Sequence, residues 1–247
     1  MSTVALAGSG GLGGWSIPAD YYPLRDISLL LEQLGPELSA EARRQIQWHF
    51  GIARMAHHGQ VRKDGERPFI EHPLAVSYKI GIEWGVPDWQ AIVAALLHDT
   101  VEDNGDLHFC DDRDFAREQL MRVFGRPLAQ TTLILTRGPG QSEQDYFHDF
   151  YVWDADRFER EVGWPEGAWV TPLSKVGDRA HNLGTLQACR LERRRNKVAE
   201  TRQYFLAEDG LLDLLRERLP AEYHLAARRA RAEIQYWVDY WAEVDGT

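Results

Sequence analysis

Hydrophobic positions recur along this chain with the period of a helix, and sustained period-two alternation is found nowhere. Ile46, Phe50, Ala53 and His57, spaced by threes and fours, draw the apolar stripe of an amphipathic helix. Pro73 suits the first turn of a helix covering Leu74 to Trp84, and Gly85-Val86-Pro87 breaks it. Asp88 can cap the next helix, which runs through Leu96 into His98-Asp99. Asn104 to Asp112 reads as a polar, acidic loop, Asp114 to Phe124 as a helix stopped by Gly125, and Gly138-Pro139-Gly140 as a break. Thr171-Pro172 reads as N-cap and first turn of a helix carrying Lys175, Asp178 and Asn182. Leu191 to Leu206 and Ala221 to Val244 complete the pattern. In the last of these, Leu225, Ile234, Trp237, Val238 and Trp241 suggest an apolar face that packs on the core or on a second subunit. The expectation is an all-α fold without internal repeats.

Composition bounds what such a fold does. A chain of 247 residues, 44% hydrophobic, can bury one substantial core. Residues 1–22 read as a flexible glycine-rich leader without the basic start of a signal peptide, 23–210 as the main domain and 211–247 as a helical extension. No apolar run approaches the roughly 20 residues that span a bilayer. Cys110 and Cys189 are far apart, which fits a reducing cytoplasm and argues against zinc held by thiolates. A formal net charge of −10 disfavours general nucleic-acid binding, so an anionic substrate needs a local basic pocket.

The chemistry concentrates in Ala94-Ala95-Leu96-Leu97-His98-Asp99-Thr100-Val101-Glu102-Asp103, an apolar run ending in an imidazole and three carboxylates. On a continuing helix, His98 and Glu102 are i,i+4 neighbours, as are Asp99 and Asp103. Three acids at a helix C-terminus repel each other and oppose the helix dipole unless a cation or a reacting proton uses them. A solvated acidic helix end is the plain alternative; a metal-dependent active site is the sharper reading.

Four ordered motifs now extend the picture: Ala56-His57-His58-Gly59-Gln60-Val61-Arg62-Lys63-Asp64-Gly65, Glu71-His72-Pro73, Leu97-His98-Asp99-Thr100-Val101-Glu102-Asp103, and Lys175-Val176-Gly177-Asp178-Arg179-Ala180-His181-Asn182-Leu183. Together they resemble the HD-domain hydrolase of the Rel/SpoT alarmone enzymes, most closely the stand-alone small alarmone hydrolases, over about Ile46 to Leu206. The resemblance implies an HD-domain helical bundle with a C-terminal helical extension. It also implies a divalent cation held by His72, His98, Asp99 and Asp178, a mixed nitrogen–oxygen set suited to Mn²⁺, with Fe²⁺ or Mg²⁺ as alternatives. Taken alone, His72 reads equally as a turn-fixing histidine and Asp178 as a surface acid.

The same resemblance assigns Glu102 as general base and Asp103 to positioning water or assisting the leaving group. It places Arg62, Lys63, Asn182 and Thr185 at the nucleotide, with Arg62 near the purine. His181 reads as structural and His57 as packed and hydrogen-bonded. Departures are an extra residue in Glu66-Arg67-Pro68-Phe69, which would let Arg67 replace Arg62, and Gly184 where the family commonly carries arginine. A Trp- and acid-containing insert with Trp153, Trp164 and Trp169 matches nothing. The basic run Arg190, Arg193, Arg194, Arg195 and Lys197 reads as a solvated face or as a contact to distal phosphates.

The implied activity is hydrolysis of the 3′-pyrophosphate of a guanosine alarmone, ppGpp or pppGpp, to GDP or GTP and pyrophosphate, in the cytoplasm. Its rivals are another nucleotide phosphohydrolase on the same scaffold, acting on an adenosine alarmone or a ribose phosphomonoester such as NADPH, and a non-catalytic antitoxin that binds an alarmone synthetase. The expected partner is a small nucleotide, with no membrane and with a homo-oligomer left open.

Overall fold

The computed structural model describes residues 26–63, 65–101 and 113–246. The leader 1–22, Glu102, Asp103 and the loop Asn104 to Asp112 lie outside the described residues. Those described form an all-α structure; the only strand-like feature among them is an isolated antiparallel bridge between Val61 and Pro68. No described helix is long and apolar enough to cross a membrane.

In chain order the helices are α1 (Ser28–Leu34), α2 (Ala40–Ala56), α3 (Glu71–Tyr78), α4 (Trp89–Leu97), α5 (Arg113–Phe124) and α6 (Arg126–Leu135). They continue as α7 (Glu143–Val152), α8 (Ala155–Val162), α9 (Gly167–Gly184), α10 (Leu191–Thr201), α11 (Leu211–Arg218) and α12 (His224–Asp245). Helices α4 and α9 make the centre. Every residue from Ala91 to Leu97 is buried, as are most residues of α9, so both helices run through the interior of the fold. Helices α2 and α3 pack on α4, and α3, α6, α11 and α12 pack on α9. The same hydrophobic core runs from Ile27 to Trp241, so the C-terminal segment shares it. Ile234, Trp237, Val238 and Trp241 face that core, whereas Leu225 is exposed.

Local chemistry sets the helix ends. Ser39, Asp88, Ser142 and Asp154 each accept a hydrogen bond from a first-turn amide. The last two caps start α7 and α8, which the unmatched insert forms and the periodicity left unseen. Trp164 and Trp169 of that insert are buried. Helix α11, a short leucine-rich segment, was likewise not foreseen.

Two boundaries correct the sequence reading. Helix α9 begins at Gly167, so Thr171-Pro172 is not its start; Pro172 lies inside the helix. The proline ring has no N–H for the Ala168 carbonyl, and Arg218 Nη1 donates to that oxygen instead, at 3.4 Å. The Thr171 hydroxyl donates to the Gly167 carbonyl at 2.8 Å rather than capping. Helix α4 ends at Leu97, and 98–101 form a turn. His98 Nδ1 engages the Ala95 carbonyl at 2.7 Å, and both the amide and the hydroxyl of Thr100 take the Leu97 carbonyl. These bonds end the i→i−4 ladder of α4, so 98–101 form a turn rather than continuing the helix.

One glycine brings the two halves of the site together. A Cβ on Gly177 would meet Ile80 and Val76 at 3.0–3.2 Å, so its absence lets α9 approach the α3 segment closely. That contact brings the helix that carries Asp178 against the one that carries His72.

Candidate metal centre

Four side chains from three segments converge. His72 comes from the first turn of α3, His98 and Asp99 from the turn after α4, and Asp178 from the middle of α9. His72 Nε2 lies 3.2 Å from Asp99 Oδ2 and 3.2 Å from Asp178 Oδ1. His98 Nε2 lies 3.1 Å and 3.6 Å from the same two oxygens, and 3.2 Å from His72 Nε2. Two imidazole nitrogens and two carboxylate oxygens thus come together, and among the described residues His72, His98 and Asp99 meet the mutual spacing of a metal-ligand cluster, with Asp178 set against both imidazoles.

The far sides of these groups are pinned. With His98 Nδ1 donating to the Ala95 carbonyl, Nε2 keeps its lone pair toward the cluster. His72 Nδ1 lies 2.7 Å from His181 Nδ1. For His72 Nε2 to offer a lone pair, Nδ1 must carry the proton and donate it to His181. Burial first, and then the nearby Arg62 cation, hold the His181 pKa well below the usual histidine value, so His181 is a neutral acceptor. Its own Nε2 is buried without a hydrogen-bond partner. Lys175 Nζ donates to Asp178 Oδ2 at 3.1 Å, and Asn182 Nδ2 donates to Asp178 Oδ1. A histidine held by a second acceptor and a carboxylate held by a lysine are the supports that metal ligands need.

The electrostatics agree. Burial opposes charge on Asp178, yet Lys175 and the two imidazoles outweigh it and draw its pKa well below the carboxylate range. Burial likewise disfavours charge on Asp99, but His98 and His72 win and lower it. Burial opposes a charged His98, while Asp99 and Asp178 raise its pKa well above the ordinary value. Two carboxylates, Asp178 buried and Asp99 partly so, that favour positive charge on His98 make a site suited to a cation. Neutral imidazole nitrogen plus carboxylate oxygen, with no thiolate, suits a divalent first-row metal or magnesium.

The cluster opens into a cleft of about 230 Å³. Arg62, Lys63, Arg67, Lys175, Arg193 and Lys197 line it, against Asp99 and Asp178 as the acids among the described residues. That is the local basic pocket an acidic protein needs for an anionic ligand. The Arg62 guanidinium lies 5.5 Å over the Phe69 ring and reaches Thr185 Oγ1 at 3.5 Å. Asn182 and Thr185 line the same cleft one turn and two turns after Asp178. The Arg62 amide donates to the Arg67 carbonyl at 2.7 Å, and both arginines reach the cleft. His57 stacks against Phe69 at 4.7 Å between ring centroids and engages Gln60 Oε1, as a packed residue.

The basic run divides. Arg193 and Lys197 line the cleft, whereas Arg194 pairs with Asp245. The sequence reading offered the cleft-facing pair as a contact to distal phosphates or as a solvated face, took His181 as structural, and left Lys175 without a role. Their signal was present as helical spacing, since Lys175 and His181 flank Asp178 at three residues on either side.

No family model matches the chain. Among curated proteins it is 29% identical over 184 residues to the bifunctional (p)ppGpp synthase/hydrolase SpoT of Escherichia coli K12, covering 74% of this chain and 24% of that protein. It is 34% identical over 182 residues to the guanosine-3′,5′-bis(diphosphate) 3′-pyrophosphohydrolase of Vibrio cholerae, covering 74% of this chain and 23% of that one. The chain therefore spans about a quarter of the length of the curated relatives it matches. A solved structure of a metazoan SpoT orthologue, described as hydrolysing ppGpp, aligns with TM-score 0.51 and 24% identity over 79% of this chain and 96% of the other. That likeness establishes a shared fold. The similarity to Rel/SpoT-type alarmone hydrolases that the motifs carry thus extends over about three quarters of the chain.

Proposed function

We propose that this chain is a cytoplasmic, metal-dependent hydrolase that removes the 3′-pyrophosphate of a guanosine alarmone. One observation carries the reading: the Nε2 atoms of His72 and His98 lie 3.2 Å apart, each within 3.6 Å of a carboxylate oxygen of Asp99 and of Asp178, at a cleft lined by six cationic side chains. These four residues would hold the metal, which we take to be Mn²⁺, with Fe²⁺ or Mg²⁺ as alternatives. When bound, such a cation supplies Lewis acidity and offsets charge on phosphoryl oxygens.

The protein's own groups do the rest. Asp178 is kept charged by Lys175, and His72 is kept in the ligating tautomer by His181. Arg62 and Lys63 meet the nucleotide, the guanidinium offering a planar face to the base and the ammonium a compact charge to phosphate. Asn182 and Thr185 orient the ribose or its phosphates. Arg193 and Lys197 meet phosphates away from the reacting bond and so favour a nucleotide with two phosphate chains. Glu102 accepts the proton of the attacking water, and Asp103 assists the departing oxygen; both assignments come from the motif.

The test is to incubate purified protein and Mn²⁺ with guanosine and adenosine tetraphosphates and pentaphosphates and with NADPH, and to separate the products. Pyrophosphate released from the guanosine substrates is the expected result. Orthophosphate from NADPH alone would move the activity to a phosphomonoester. Glu102→Gln separates enzyme from binder: it should keep nucleotide binding and slow hydrolysis by roughly 10²-fold or more. If it instead neutralises a synthetase in cells as well as wild type does, contact rather than catalysis is the function.

A further inference from the structure

Helix α10 carries two of the cleft's cations, yet burial hardly fixes its orientation. Of its residues only Val198 and Thr201 are buried. Adjacent residues on a helix point about 100° apart, so the rotation of α10 decides whether Arg193, and Lys197 one turn later, face the cleft. Polar ties must set that rotation. At the C-terminal half, Arg179 engages Glu200 and the Thr201 hydroxyl. At the N-terminal half the tie comes from the other end of the chain.

Asp245 is the last residue of α12, where the helix dipole disfavours an acid. Two arginines of α10 answer it. Arg194 Nε donates to both carboxylate oxygens, at 2.9 and 3.1 Å, and its Nη2 donates to Oδ1. Arg195 Nη2 donates to the Asp245 carbonyl at 2.7 Å, one of the oxygens a helix end leaves unbonded. The same Arg194 guanidinium donates through Nη1 to the carbonyl of Cys189, a cleft-lining residue, at 2.9 Å. It also lies 5.3 Å over the ring of Trp241, whose Nε1 donates to the Leu183 carbonyl at 2.8 Å. One planar group thus joins the end of α12, the cleft wall after α9, and the start of α10.

We propose that Asp245 is a positioning residue: through Arg194 it sets the rotation of α10 and holds Arg193 and Lys197 toward the anionic part of the bound nucleotide. The inference rests on the reading that this cleft takes a phosphorylated nucleotide. Asp245 is not placed at the reacting bond, so its loss acts on binding and not on the chemical step.

The experiment compares wild type with Asp245→Asn, Asp245→Ala, Arg194→Lys, Arg194→Ala and the Arg194→Ala/Asp245→Ala double variant. Steady-state kinetics on guanosine tetraphosphate are read beside calorimetric binding of inorganic pyrophosphate and GDP, which needs no turnover. Asp245→Asn should raise KM about threefold or more with kcat unchanged, and Arg194→Lys should do the same because lysine cannot make the two-pronged contact. The double variant should be no worse than Arg194→Ala alone. Asp245→Asn with KM and both binding constants within about twofold of wild type, or with the loss in kcat alone, overturns the proposal. If wild type hydrolyses no guanosine tetraphosphate but Asp245→Asn weakens pyrophosphate binding, the reaction assignment fails while the positioning role stands.

Discussion

Replacing His181 with phenylalanine isolates the support under one candidate ligand. His72 is 2% exposed, so no water can reach its Nδ1 when the 2.7 Å acceptor is removed. An N–H buried without a partner costs about 1–3 kcal/mol. That penalty falls on the ligating tautomer, which needs the proton on Nδ1. At 1.4 kcal/mol per tenfold, it predicts a metal affinity about 5- to 150-fold weaker. The range matches the roughly 10- to 100-fold loss expected when a metal-bound histidine loses its outer partner. The metal-free fold should change little, because phenylalanine fills the ring's space and also removes the unpartnered Nε2 of His181. The assay is Mn²⁺ titration of metal-stripped protein, reading free Mn²⁺ by electron paramagnetic resonance, with thermal unfolding in chelator as the control. His181→Gln keeps an acceptor and should retain more affinity than the phenylalanine variant. Equal Mn²⁺ affinity for wild type and His181→Phe would refute the tautomer argument.

Three further outcomes are expected. Asp99→Asn keeps the turn but loses an anionic donor, and should cut both turnover and bound Mn²⁺ by at least about a hundredfold, a loss that retained activity with bound metal would contradict. Gly167→Ala would place a Cβ 2.4 Å from the fully buried Phe158 ring. The overpacking, about 1–3 kcal/mol, exceeds the helix-propensity gain of about 1 kcal/mol, so calorimetry should show a lower Tm and an unchanged or higher one sinks the idea. Glu200 works through pH. Burial opposes its charge, but Arg179 and Lys197 outweigh burial and depress its pKa from the usual 4.5 to about 2. A depressed acid stabilises the fold above its unfolded pKa, and that share, on the order of 3 kcal/mol, is lost as pH falls from about 4.5 toward 2. Urea unfolding between pH 5 and 3 should therefore flatten in Glu200→Gln relative to wild type, and parallel curves would count against the pair.

Much of this molecule was legible in its residues because helical signals are local. The 46–57 stripe, the Asp88 cap and the Gly125 stop each depend on neighbours within a few positions, and α2, α4 and the end of α5 follow them. Motif order likewise marked His72, His98, Asp99 and Asp178, although nothing local says that they meet. Where the structure departs from that reading, a side-chain hydrogen bond has overridden the backbone signal. Pro172 looks like a helix start only until Arg218, 46 positions on, supplies the donor its ring lacks. His98 looks helical until its ring and Thr100 claim the carbonyls that would have continued α4.

The sequence by itself therefore determined the helical period, the acidic balance and the identity of the chemically able side chains, since each is a property of residue type and short spacing. Only the tertiary structure decided which cations reach the cleft, which nitrogen of His72 faces the carboxylates, and that the end of α12 holds α10. Those outcomes depend on how α9 crosses its neighbours and on hydrogen bonds closed between residues tens of positions apart, information that no single stretch of chain contains.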